Sequence, residues 1–120
     1  MEDVRVVAKR MVLPWPPTAN TYWRHNRGRS HISSRGRKYR QDVSMLCAGR
    51  KPVAGGVSVE ILAYPPDRRR RDLDTLLKPL LDSLTYGGVW GDDYQVERLS
   101  IERREVRKGG ELELTIRRTG

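Results

Sequence analysis

Asp72-Leu73-Asp74 follows directly on Arg68-Arg69-Arg70-Arg71, and a second acidic pair, Asp92-Asp93, comes after Gly91. Clustered carboxylates supply the several convergent oxygens that a hard cation such as Mg²⁺ requires. A cation held in this way activates water and stabilises the leaving oxygen in phosphodiester hydrolysis. The neighbouring arginines point to the same chemistry, because acids weaken phosphate binding unless a metal bridges the two. Taken singly, each acid also has a purely structural use. Asp74 can cap a helix, Asp72 can pair with an adjacent Arg, and Asp92-Asp93 can be a plain turn.

Spacing sets the geometry in which the first pair works. Residues two apart point the same way in an extended chain and diverge by about 200° in a helix. Asp72 and Asp74 therefore converge best if Asp72 is extended and Asp74 is the N-cap of the helix that follows. Lys78 lies one turn further on, on the same edge, and Asp82 follows at the next step of four. Whether Asp92-Asp93 returns to the head of that helix is a matter for the fold and is not fixed by spacing.

The charge balance widens the picture. Lys and Arg number 24 against 15 Asp and Glu, a net +9, and residues 4–41 hold ten Lys or Arg with no acid among them. One-sided positive charge attracts polyanions through counterion release, and nucleic acid is the usual partner. A merely soluble surface intersperses signs, as residues 97–118 do. With a single cysteine, Cys47, an internal disulfide and a Cys-rich zinc site are both excluded. The acidic start, Met1-Glu2-Asp3, lacks an apolar signal core, and no stretch has the apolar length of a membrane span. A cytoplasmic protein with no membrane partner is expected.

The elements that must position these residues fit one domain over 1–120, an α/β (α+β) architecture with a small, mostly antiparallel sheet of about four strands and two helices. Residues 4–13 read as a strand, and Pro14, Pro16 and Pro17 open a long loop to residue 32 that contains Trp15, Tyr22, Trp23 and His25. Its aromatics suit stacking on unpaired bases, although Trp15 among prolines suits packing over the core equally well. Ser33 or Ser34 caps a helix to about Arg50, with Tyr39, Val43, Leu46 and Cys47 on one face and Gly49 as its stop. A strand carries Val57, Val59 and Ile61 after Gly55-Gly56 and closes at Pro65-Pro66. The second helix bears a stripe of Leu73, Leu76, Leu77, Leu80, Leu81 and Leu84, is interrupted by Pro79 and stops at Gly87-Gly88. Strands near 95–106 and 111–118 flank Lys108-Gly109-Gly110, which predicts a hairpin, with Leu112, Leu114 and Ile116 facing inward.

Read in order, the chain resembles the RusA family of Holliday junction resolvases. The resemblance is carried by Leu13-Pro-Trp-Pro-Pro17, Tyr22-Trp-Arg-His-Asn-Arg-Gly-Arg29, Pro66-Asp-Arg-Arg-Arg-Arg-Asp-Leu-Asp74, Lys78, Asp82-Ser-Leu84 and Trp90-Gly-Asp-Asp93. These stretches cover nearly the whole chain. The resemblance implies that Asp72, Asp74 and Asp93 form a catalytic site for Mg²⁺, with the second acid of Asp92-Asp93 the functional one. It makes Lys78 the residue that positions or neutralises the scissile phosphate, and Arg71 a DNA contact. The chain departs from the family at Leu81, where an aromatic is expected, and at Thr75, where Asn is common.

The expected activity is Mg²⁺-dependent cleavage of four-way (Holliday) junction DNA by paired symmetric nicks, in recombination and repair. A twofold substrate suits a homodimer with one site per subunit. A leucine-rich helix also offers more apolar surface than one small core readily hides. Arg24, Arg27, Arg29, Arg37, Lys38, Arg69 and Arg71 are the expected DNA-binding set, gripping backbone without reading bases. A nucleoid-associated protein of phage or prophage origin fits this reading. Two alternatives share the basic surface: a non-catalytic junction-binding protein and a ribosome-type RNA-binding protein.

Overall fold

The computed structural model describes residues 7–120, and its centre is β4 (Val57–Tyr64), the most buried strand. Val57, Val59, Ile61 and Ala63 lie on one side, with Ser58 and Tyr64 covered on the other. Two flanking strands pair with it: β6 (Glu111–Arg118) runs antiparallel and β5 (Val96–Arg103) parallel. Beyond β6, β1 (Val7–Pro14) completes a four-stranded sheet in the order β1-β6-β4-β5, antiparallel to β6. Of the strand expected over 4–13, residues 4–6 lie outside the described residues. A parallel pair cannot be closed by a tight turn, so a helix must cross between its strands. Here α3 (Asp74–Tyr86) makes that crossing from β4 to β5.

The expected hairpin between the last two strands does not form, because β4 lies between them. Leaving β5, the chain continues along the end of β4, with the Arg104 amide donating to Ala63 O (2.8 Å) and Arg107 to Pro65 O (2.9 Å). It then reverses at Gly109 and Gly110, both at positive φ, and enters β6 on the far side. A Cβ on Gly110 would stand 2.9 Å from the Pro66 ring and 3.0 Å from the Trp15 Cβ, so only glycine passes there. Lys108-Gly109-Gly110 does encode a reversal. A turn signal fixes where the chain bends and not which strand it meets afterwards.

Residues 14–32 are also more ordered than a loop. They hold a short helix, α1 (Ala19–Tyr22), and a separate hairpin of β2 (Trp23–Asn26) and β3 (Arg29–Ile32). Arg27 and Gly28, at φ 52° and 76°, form its two-residue turn, the left-handed pair that matches strand twist. An arginine in that conformation costs about 1 kcal/mol or more and carries no turn signature, which is why the hairpin is hidden in the sequence. With α1, the described residues hold three α-helices against the expected two.

Next, α2 (Ser34–Cys47) is capped by Ser33, whose hydroxyl accepts from the Gly36 amide at 3.0 Å. It ends three residues short of the expected Arg50. Gly36, Tyr39, Val43 and Cys47 face the core, whereas Leu46 is exposed. Burial pushes the Cys47 thiol pKa up, as suits a small packed hydrophobe. On α3, Leu76, Leu80 and Leu84 are fully buried and Leu73, Leu77 and Leu81 pack against the same core. Half of the leucine stripe is thus consumed within one subunit, while Leu73, Leu77 and Leu81 remain partly exposed. The exposed large apolar side chains lie elsewhere, at Val12, Met45 and Leu46 among others. Among the described residues, no helix is long and apolar enough to cross a membrane.

Candidate active site and nucleic-acid interface

The acidic segment is built on the head of α3. Leu73 takes the cap position with helical backbone angles and no side-chain cap bond, so Asp74 is the first helical residue and not the N-cap. The turn closes instead through Thr75, whose hydroxyl donates to Asp72 O at 2.8 Å, with the Leu76 amide donating to Leu73 O at 3.1 Å. Leu73 packs against the core while Asp72 and Asp74 on either side of it are exposed. The positive end of the helix dipole favours a carboxylate at Asp74.

Asp67 orders the arginine run that precedes them. It accepts from the Arg71 guanidinium at 2.6 and 3.1 Å and from the Arg69 amide at 2.9 Å. The Arg71 hydrogen bond is the main reason its carboxyl is held down to about 2. Arg103, from β5, donates to Arg71 O at 2.6 Å and ties the segment to the sheet. The Arg71 guanidinium also lies 6.0 Å from the Trp15 ring centre, so this candidate DNA contact already has partners on two sides.

Asp93 opens a single 3-10 turn, Asp93–Gln95, that packs near α3. Asp92 caps it, accepting from the Tyr94 amide at 2.9 Å. Gln95 uses its whole amide to fix the turn. Its oxygen accepts from the Gly91 and Asp92 amides (2.9 and 3.1 Å), and its nitrogen donates to Val53 O and Gly55 O (2.9 and 2.8 Å). Asp92 is therefore committed to the backbone, and the Asp93 carboxylate is left outward.

A census of the acids separates three from the rest. Among the described residues, every other Asp and Glu has an ion pair or hydrogen bond: Asp42 with Lys38, Glu60 with Arg117, Asp67 with Arg71, Asp82 with Arg40, Asp92 with Tyr94, Glu97 with Thr119, Glu102 and Glu105 with Arg104, Glu111 and Glu113 with Arg107. Asp72, Asp74 and Asp93 have none among the described residues. Their chemistry suits a hard cation: three unencumbered carboxylates on two neighbouring elements. Among the described residues, no three such side chains are drawn into one ready cluster. Asp72 and Asp74 share the head of α3, and Asp93 stands on a separate turn.

The basic residues divide in the same way. Arg24 and Arg29 stand on the β2–β3 hairpin and Arg27 on its turn; among the described residues none of them has a carboxylate partner. Lys78 is exposed and likewise lacks one, with its ammonium 5.9 Å from the Trp23 ring centre. Arg37 donates to Ile32 O at 3.1 Å, and Lys38 pairs with Asp42 at 3.0 Å across one helical turn. Arg69 reaches Asp67 only at 3.8 Å.

One cluster went unrecognised in the sequence. Tyr22 is fully buried, so base stacking is closed to it; its hydroxyl donates to Asp82 Oδ2 at 2.5 Å and lies 3.1 Å from Ser83 Oγ. Arg40 donates to the same Asp82 oxygen (3.0 and 2.8 Å) and to the Tyr22 hydroxyl (3.0 Å), with Tyr86 beside its guanidinium at 4.9 Å. Burial, followed by the Asp82 bond, pushes the Tyr22 hydroxyl up to about 12. This network joins α1, α2 and α3 and roots the hairpin that starts at Trp23. Asp82 lying just off the leucine stripe was the available signal, but nothing in the sequence names Arg40 as its partner.

Comparison with known proteins identifies the family. The family model for Endodeoxyribonuclease RusA matches residues 14–117. A crossover junction endodeoxyribonuclease of Enterobacteria phage 82 is 48% identical over 113 residues, covering 92% of this chain and 94% of its own length. Similar proteins of the same name from Shigella sonnei (48%) and Escherichia coli K12 (47%) align over 116 residues with the same coverage.

Proposed function

The chain belongs to the RusA family of endodeoxyribonucleases, and from that premise we propose that it cuts four-way DNA junctions with Mg²⁺ bound at Asp72, Asp74 and Asp93. One observation carries the reading. In a chain of net +9, these three are the acids that no described cation or backbone donor claims. Surface carboxylates beside four arginines would ordinarily pair, as Asp67 does. Carboxylates without partners retain the oxygens that a divalent cation needs.

The cation, when bound, supplies an activated water and charge neutralisation at the phosphate. The remaining work belongs to side chains of this chain. Lys78, one turn beyond Asp74, offers three donors to a phosphate oxygen close to the acids, which orients the diester. Arg24, Arg27 and Arg29 project from a hairpin rooted in the Tyr22 network, so they present positive charge on a fixed element. Arg37, Lys38, Arg69 and Arg71 extend that surface and hold the backbone without reading bases. Two subunits, each with one such site, match the twofold symmetry of a junction and produce paired nicks. Substrate of this kind places the protein at the nucleoid.

The deciding experiment incubates the protein with a synthetic four-way junction in Mg²⁺ or in chelator. Paired symmetric nicks that require Mg²⁺ are expected. Binding without cleavage at any metal concentration would leave a junction-binding protein, and preferential displacement of the junction by RNA would leave an RNA-binding one.

A further inference from the structure

The loop before α3 and the chain leaving β5 enclose a cavity of about 550 Å³ that opens beside the acidic segment. Six arginines line it against two carboxylates, Asp67 and Glu105. The carboxylates offset only part of this charge. Asp67 is engaged by Arg71 and by the Arg69 amide, and Arg104 has Glu102 at 3.6 Å and Glu105 at 3.8 Å. Arg68 and Arg70 have no carboxylate partner among the described residues. The rest of the lining is apolar: Trp15, Pro65, Leu73 and Val106. Trp15 is held by the close pass of Gly110.

Like charges gathered in a concave surface repel one another, and apolar, low-dielectric lining strengthens that repulsion. An anion relieves it. The size lies within the range of ordinary small-molecule sites, and a lining of arginines mixed with apolar side chains suits a group with a charged and a flat apolar part. A nucleotide has both. Location selects its source: Arg71 and Leu73 both line the cavity and Asp72 lies between them in the chain, so the cavity adjoins the acidic segment. Arg103, fastened to Arg71 O, braces the same wall.

We propose that this cavity holds one nucleotide of the DNA strand being cut, its phosphate on Arg68, Arg70 and Arg104 and its sugar and base over Trp15 and Val106. The proposal rests on the DNA-cleaving function above and deepens it. The cut strand has a second anchor, distinct from the hairpin arginines, that sets which phosphate reaches the acids.

The test is a neutral-phosphate scan. Methylphosphonates replace, one at a time, the phosphates flanking the cut position in a four-way junction and in one of its single strands. Affinity is measured in chelator for the wild-type chain, for Arg68→Ala/Arg70→Ala and for Arg104→Ala. One flanking position is expected to cost the wild-type chain about tenfold, the scale of a lost charged hydrogen bond, and to cost the variants little more. The substituted side chains are exposed, so circular dichroism should confirm unchanged folding. Strictly additive losses at every position, on both DNAs, would overturn the proposal. Because binding is read without metal, coupling without cleavage retains the pocket and discards the nuclease, while cleavage without coupling does the reverse.

Discussion

Asp74 and Asp82 stand on the same helix, about two turns apart, in opposite circumstances. Asp82 accepts from Arg40 and Tyr22, and its cluster is half-sheltered between α1, α2 and α3. Asp74, with Asp72 and Asp93, is exposed and has no described partner. Both regions are polar and both lie on α3, but one is closed and the other open. A carboxylate with its partners in place holds structure together. One without them is available to something the chain itself does not contain. Surrounded by a large excess of arginine, unpaired acids are the informative ones.

Breaking the open side should cost activity and spare the fold. Asp72→Asn, Asp74→Asn and Asp93→Asn should each slow junction cleavage by more than about a hundredfold, since even groups one step removed from a metal commonly cost 10–100-fold. Junction affinity in chelator should hold or rise, because each change removes negative charge near phosphate. Melting temperature should stay put. Single-turnover rates, binding isotherms and thermal melts are the checks, and near-normal cutting by any one variant removes that residue from the site.

The closed side should respond the other way. Asp82→Asn leaves the Arg40 guanidinium short of its counter-charge. A fully buried pair broken in this way costs about 3–5 kcal/mol. Here both side chains keep a quarter to a third of their exposure, so about 2 kcal/mol is expected. Denaturant unfolding measures it, and junction cleavage per folded molecule should change far less than in the Asp74 variant. Equal loss of cleavage in both would erase the contrast between the two regions.

Gln95 tests whether the open side depends on being held. Gln95→Ala releases the turn that carries Asp93, and the expected result is about a tenfold rise in the Mg²⁺ needed for half-maximal single-turnover rate. High Mg²⁺ should restore cutting. A purely structural glutamine would instead lower stability and leave the metal requirement alone.

The smallest effect is a titration. The hydroxyl of Tyr22 is raised in the folded state from 10.0 to about 12. A raised value means the neutral form is favoured by folding. Its contribution is therefore complete below pH 10 and lost as pH climbs from there through 12. Absorbance at 295 nm, wild type minus Tyr22→Phe, should show one tyrosine titrating well above the ordinary value. A midpoint near 10 would mean that the cluster is more open than its geometry.

Much of this protein was legible as a string of residues. The leucine stripe of α3, the alternation of Leu112, Leu114 and Ile116, the Ser33 cap and the glycine stops are local patterns, because helix and strand periods repeat over a few residues. The family was legible too, because residue types and order survive without a fold. What failed was non-local. The Lys108-Gly109-Gly110 turn read as a hairpin, yet β4 occupies the place between β5 and β6. Arg27 hid a turn by adopting a conformation its side chain disfavours. Asp74 read as a cap, yet Leu73 holds that position because its side chain belongs in the core.

The sequence by itself determined the two long helices and the main strands, the cationic excess and which carboxylates were candidates. Only the tertiary structure decided which acids were already taken. Pairing depends on distances between residues far apart in the chain: Arg40 reaches Asp82 because α2 packs on α3, and Gln95 reaches Val53 because the 3-10 turn folds back toward that segment. Charge and type are properties of single residues, whereas a satisfied or unsatisfied carboxylate is a property of a packed pair.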